Sequence, residues 1–170
     1  MSAEPTARPG SSAQRARRIK TILLVAAVAL AAADLAIKAL AEAQLGDGTV
    51  IDLGLVNIRL LYNTGVAFSL GATLSPWIVV AATAVIVAAL AVFLYRAVPG
   101  FGRLSRVGAA LLLGGALGNM VDRMDGAGVV DYLHSGWFPT FNLADVFVVG
   151  GVGLLVLGSL RTPAATQEEH

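Results

Sequence analysis

Two aspartates, Asp131 and Asp145, stand fourteen positions apart with Gly136 and Pro139 between them, a spacing that lets the chain turn back and bring both carboxyl groups together. Facing carboxylates in a poorly hydrated site do not both ionise readily. They share a proton, so that one acts as base on water while the other acts as acid. That is the working part of an aspartyl peptidase. The same pairing at membrane level serves a proton-coupled or ion-conducting protein, or a structural contact in an assembly, and spacing alone does not choose among the three. Other chemistries are poorly supplied. Cysteine is absent, which excludes thiolate nucleophiles, thiolate metal sites and disulfides. Of the two histidines, His134 adjoins Ser135, which is not in itself a serine–histidine pair, and His170 lies at the end of the sequence. His134 with Asp131 and Asp145 imitates a metal site, yet no HExxH or comparable spacing supports one, and no metal or other cofactor is expected.

Positioning the two acids falls to four apolar runs, at about residues 21–40, 77–95, 104–121 and 141–160. Each is near the roughly twenty residues that cross a bilayer core as a helix. Of 170 residues, 56% are hydrophobic and only 14% charged, against about a quarter charged in a soluble domain. The mean hydropathy is +0.76. An ordinary water-soluble globule and a disordered chain are both excluded. The fold class that follows is an all-α membrane protein with four transmembrane helices.

Lysine and arginine give the direction. Nine of the twelve basic residues fall in the N-terminal segment (Arg8, Arg15, Arg17, Arg18, Lys20), the middle connection (Arg96, Arg103, Arg106) or just after the last span (Arg161). Both termini and the middle connection are therefore expected in the cytoplasm, with outward loops at 41–76 and 122–140. Within the first of these, Val50–Tyr62 is rich in β-formers and partly alternates, which predicts a small extracytoplasmic β-sheet. The domain reading is a basic tail at 1–20, a membrane domain at 21–161 and a second tail at 162–170, with both tails disordered. A rival reading takes the first run, with Ala31-Ala32-Ala33, as a cleaved secretory signal. Asp34 and Lys38 argue instead that the helix continues. A net charge of +1 is too balanced to suggest a nucleic-acid partner.

Measured from the cytoplasmic basic anchors, Asp34 lies about 21 Å above Lys20, Asn119 roughly 20 Å above Arg106, and Asp145 about 24 Å above Arg161. Arg123 lies roughly 26 Å above Arg106 if the third helix reaches it. Polar groups of three helices thus share one level, and a coplanar ionisable set inside a membrane is by default a site. Asp34 and Lys38, four apart, are expected to share a helix face and pair. Asp122 and Arg123 are adjacent and cannot face one another, so Arg123 must find another carboxylate or a ligand. The Gly114–Gly118 pattern and Gly150, Gly151 and Gly153 are read as small residues for close helix approach.

In chain order, the outward-level segments are DLAIK (Asp34–Lys38), NTGVAFS (Asn63–Ser69), GGALGNMVDR (Gly114–Arg123), VVDY (Val129–Tyr132) and FNLAD (Phe141–Asp145). The series closely resembles bacterial lipoprotein signal peptidase, also called signal peptidase II. NxGxAF, GNxxDR, VVD and FNxAD in this order are specific together, and the resemblance runs from Asp34 through the last helix. It implies an inner-membrane aspartyl endopeptidase with its site on the extracytoplasmic side. Its substrates are prolipoproteins, cut on the N-terminal side of a diacylglyceryl-modified cysteine, and it acts as a monomer in contact with membrane lipid. By motif, the dyad falls on Asp131 and Asp145. Asp34, Lys38, Asn63, Gly65, Asn119, Arg123 and Asn142 match the residues expected to orient it or bind substrate, with Arg123 or Asn63 holding peptide carbonyls. Two departures stand out: DLAIK lacks the glutamine and hydroxyl common between its acid and lysine, and Tyr132 replaces a frequent phenylalanine.

Overall fold

In this computed structural model, residues 10–63 and 75–161 are described. Four helices carry most of them: α1 (Gly10–Leu45), α2 (Pro76–Ala97), α3 (Arg103–Asp122) and α4 (Leu143–Leu160). Among the described residues these four are long and apolar enough to cross a membrane. Their outer faces are apolar, with Val85, Ile86 and Phe93 of α2 and Val149 and Leu160 of α4 exposed, which suits contact with lipid.

Local chemistry sets most helix ends. Pro76 opens α2, where its missing N–H costs nothing. The turn after α3 closes at Gly126, whose φ of 79° suits glycine. Asn142 is the N-cap of α4 in a reciprocal capping box with Asp145. Two expected boundaries move. The first helix reaches back to Gly10, so residues 10–20 continue the helix instead of forming a disordered tail, and it runs on to Leu45. The last helix starts at Leu143, because Asn142 is extended (φ −130°, ψ −179°) to act as its cap. Residues 1–9 and 162–170, expected as tails, lie outside the described residues.

The expected sheet is present with one more strand than the alternation suggests. β1 (Ile51–Asp52), β2 (Asn57–Asn63) and β3 (Val129–His134) pair antiparallel in that order. β3, VVDYLH, lies in the connection between α3 and α4. It is buried along most of its length, so no polar alternation marks it in the sequence. Leu61 pairs with Asp131 and Asn63 with Val129, and the register slips between Ile58 and Leu61. Val130 and Tyr132 seat the sheet on Ala41 and Leu45 of α1.

Helix α3 is the hub, packing most extensively on α4, then α1, then α2. It uses two glycine faces. Cβ atoms at Gly114 and Gly118 would strike Leu30 and Asp34 of α1, and one at Gly108 would strike the Gly151 carbonyl of α4. Gly115 lies against the Ala144 carbonyl. The close-approach reading therefore holds for Gly114, Gly118 and Gly151. It fails for Gly150 and Gly153, which have nothing within 4 Å of an added Cβ. Below this level Leu23, Ala27, Leu94, Val98, Ala109 and Leu113 form the bundle core.

A Cβ at Gly151 would sit 2.5 Å from the Leu112 amide nitrogen, so Gly151→Ala is expected to cost about 1–3 kcal/mol through overpacking. Gly150→Ala should be neutral or slightly stabilising. Thermal unfolding of the two variants in detergent checks the contrast.

Candidate active site

The polar residues meet where the sheet end of the bundle joins β3. Lys38, only 2% exposed, places its ammonium 3.0 Å from Asp34 Oδ2, 3.0 Å from Asp122 Oδ2 and 2.8 Å from Asn119 Oδ1. An ammonium has three protons and here it has three acceptors. Each acceptor is held in turn. Asp34 Oδ1 accepts the Ala144 amide of α4 at 2.8 Å, and Asp122 Oδ2 accepts the Val130 amide of β3 at 2.8 Å. Because the Asn119 carbonyl oxygen is committed to Lys38, its amide group must point the other way. There it donates to Asp145 Oδ1 at 2.8 Å.

Asn142 joins the two aspartates. Its Nδ2 lies 2.7 Å from Asp131 Oδ1, with the Asn119 carbonyl oxygen at 3.1 Å and the Val130 carbonyl at 3.2 Å. Its Oδ1 accepts the Asp145 amide at 3.0 Å, and its own amide donates to Asp145 Oδ2 at 3.2 Å. Asn63, at the end of β2, donates to the remaining oxygen of Asp131, Oδ2, at 3.1 Å. Burial pushes the Asp131 carboxyl up to about 6; the Asn63 and Asn142 hydrogen bonds oppose this, while the charge of Asp145 adds to it. A carboxyl that keeps its proton to that pH beside a second carboxylate can exchange protons with water near neutrality.

Arg123, in the turn following α3, donates to the backbone carbonyl of Asn119 in its own helix at 3.5 Å and lies in the field of Asp131, Asp145 and Asp122. Among the described residues it forms no direct ion pair, so the carboxylate partner it was expected to find is not present in contact with it. Gly65 lies outside the described residues. His134 takes no part in the cluster: its Nδ1 is 3.1 Å from Arg59 Nη2 and 3.1 Å from Thr140 Oγ1. Its pairing with Asp131 and Asp145 as a metal site is therefore not formed, and no group of three or more His, Asp or Glu able to hold a metal occurs among the described residues.

Two residues of the cluster were noted in the sequence without being placed in the site. Asp122 is the second counterion of Lys38, and Tyr132 accepts the Leu143 amide on its hydroxyl at 3.2 Å. The signal for Asp122 was its place three residues after Asn119, on the same helix face. For Tyr132 it was the hydroxyl that distinguishes it from the more frequent phenylalanine.

A membrane-crossing bundle of four helices, capped by a small sheet and holding paired carboxyls at one end, defines a polytopic membrane protein with an acidic site. Residues 26–161 match the family model described as signal peptidase (SPase) II. The chain belongs to the signal peptidase II family and is a peptidase. It is 38% identical over 169 residues to a lipoprotein signal peptidase of Mycobacterium avium, covering 94% of this chain and 90% of that one. It is 38% identical over 154 residues to one of Sinorhizobium fredii, covering 88% and 90%. A solved structure described as a bacterial membrane enzyme determined by the in meso method superposes with a TM-score of 0.70 at 26% identity, covering 88% of this chain and 94% of that one. A second of the same description gives 0.66 at 27% identity, covering 84% and 95%.

Lys38→Met leaves Asp34 and Asp122 buried around an uncharged side chain, and is expected to cost roughly 3–5 kcal/mol. Unfolding in micelles measures it, and a loss under about 1 kcal/mol would show that the ammonium is not what holds the cluster.

Proposed function

We propose that this chain is an aspartic endopeptidase that cleaves prolipoproteins on the N-terminal side of a diacylglyceryl-modified cysteine. The observation that carries the reading is the junction at Asn142, which holds Asp131 through its side chain and Asp145 through its backbone and its carbonyl oxygen. In the proposed reaction a water held between the two carboxyls loses a proton to one of them and attacks the scissile carbonyl. The other carboxyl protonates the departing cysteine amine, so no covalent enzyme intermediate forms. The shared proton belongs to the pair. Arg123 or Asn63 holds peptide carbonyls, while Asn119, Asn142, Lys38 and Asp34 orient the dyad.

The membrane setting supports the same substrate. α4 begins at Leu143, so Asp145 sits in its first turn, where a helix leaves the lipid boundary. A cysteine whose acyl chains lie in the adjoining leaflet brings its peptide bond to that level. Arg15, Arg17, Arg18 and Lys20 of α1, Arg96 of α2, Arg103 and Arg106 of α3, and Arg161 after α4 lie at the bundle end away from the sheet. Their distribution supports a cytoplasmic position for that end and an extracytoplasmic site in a bacterial inner membrane.

Asp131→Asn and Asp145→Asn should each abolish cleavage of a lipid-modified precursor while leaving the helical circular dichroism intact; full activity in either would remove that residue from the dyad. Chelator should leave the wild-type rate unchanged. The Asp131 pKa is raised, so the proton of the pair is retained below about pH 6 and lost above it. kcat/KM is therefore expected to fall as pH rises through about 6. Asn63→Ala removes a hydrogen bond that favours the charged form, and should move that fall to higher pH.

A further inference from the structure

The sheet ends in two apolar tips. The turn between β1 and β2 carries Leu53 and Leu55, 64% and 91% exposed, and the segment after β3 carries Trp137 and Phe138, 85% and 50% exposed. Register sets the tips side by side, because Asn57 at the start of β2 pairs with His134 at the end of β3, so both turns leave the sheet at the same end. None of the four contributes to the cluster around Asp131 and Asp145. A group of large apolar side chains held away from the core marks a surface built to meet something apolar.

The position of α4 indicates what that is. Its 18 residues span about 27 Å, slightly less than the roughly 30 Å hydrocarbon core, so Leu143 has to start at the lipid boundary. Phe138 lies only five residues earlier, and the path is folded back by hydrogen bonds between Phe141 and Leu133 of 2.8 and 3.0 Å. The tip therefore stays within reach of the headgroup layer, where indole rings partition. Arg59 stands behind it, 3.1 Å from the His134 ring, and its guanidinium suits a phosphate oxygen.

We propose that Leu53, Leu55, Trp137 and Phe138 insert together into the lipid interface, with Arg59 at phosphate level, so that the sheet lies against the bilayer. The lipid contact continues the face that the helices already present. It is also linked to the reacting groups. Trp137, Phe138 and Phe141 stack edge to face with ring centroids 5.7 and 5.9 Å apart, and Phe141 is followed directly by Asn142. On the function proposed above, the inserted tip and the start of α4 together hold Asp131 and Asp145 at one depth relative to a lipid-held substrate.

The chain has two tryptophans, so Trp77→Phe leaves Trp137 as the single fluorophore. The variant is reconstituted in phosphatidylcholine–phosphatidylglycerol vesicles, with or without phospholipid brominated near the glycerol end of its acyl chains, and iodide is added to the water. The expected result is a roughly twofold loss of emission with the brominated lipid and little quenching by iodide. Strong quenching by iodide alone means a tip standing in water and overturns the proposal. Quenching by neither means a tip covered by protein, whether a second copy or another segment of this chain, and overturns it equally. In the same background Leu53→Ser with Leu55→Ser should raise iodide quenching about twofold; no change would show that the two tips do not insert as one.

Discussion

A single cation without water dictates the arrangement of the sheet end of this bundle. Lys38 can remain charged at 2% exposure only if each of its protons finds an acceptor, and the three acceptors are Asp34, Asp122 and Asn119. None of these is idle. Asp34 also holds α4 through the Ala144 amide, Asp122 holds β3 through the Val130 amide, and Asn119 turns its amide group to Asp145. One ammonium thus fixes the mutual placement of α1, α3, α4 and β3, and with it the two strand and helix positions that bear the paired carboxyls.

That arrangement is possible only because the helices approach closely. Gly118 leaves room for the Asp34 carboxylate where any other side chain would displace it, and Gly115 and Gly151 bring α3 and α4 together backbone to backbone. In lipid, where hydrophobic burial gives little drive for one helix to seek another, such contact supplies dispersion and lets short polar side chains reach across. Apolar packing and polar satisfaction are therefore not separate layers here. The glycines shorten the distances that Asp34 and Asn119 have to span.

The sequence made the four helices and the polar level legible for physical reasons. Runs of about twenty apolar residues have one solution in lipid, and ionisable residues inside them are too costly to be accidental. It also placed Asp34 beside Lys38, since helical spacing requires it. It concealed β3, because a strand buried on both faces lacks the alternation that betrays a half-exposed one, and with it the pairing of Asp131 with Leu61. Asp122 was hidden differently: adjacency rules out Arg123 as its partner, and no local spacing points to Lys38, which lies on another helix. The extension of α1 to Gly10 was missed because charged, exposed residues give no apolar stripe to read.

Asp145 is at once half of an acid pair and half of the cap that starts α4, whereas Asp131 lies within a strand and starts no helix. On the catalytic role proposed above, selection for folding and selection for turnover bear on the two positions unequally. In a lineage relieved of catalysis, position 145 would still be constrained to short side chains able to receive an amide proton, and position 131 would drift toward the β-branched residues that a buried strand prefers. The order of decay in inactive descendants is already written into the way one helix begins.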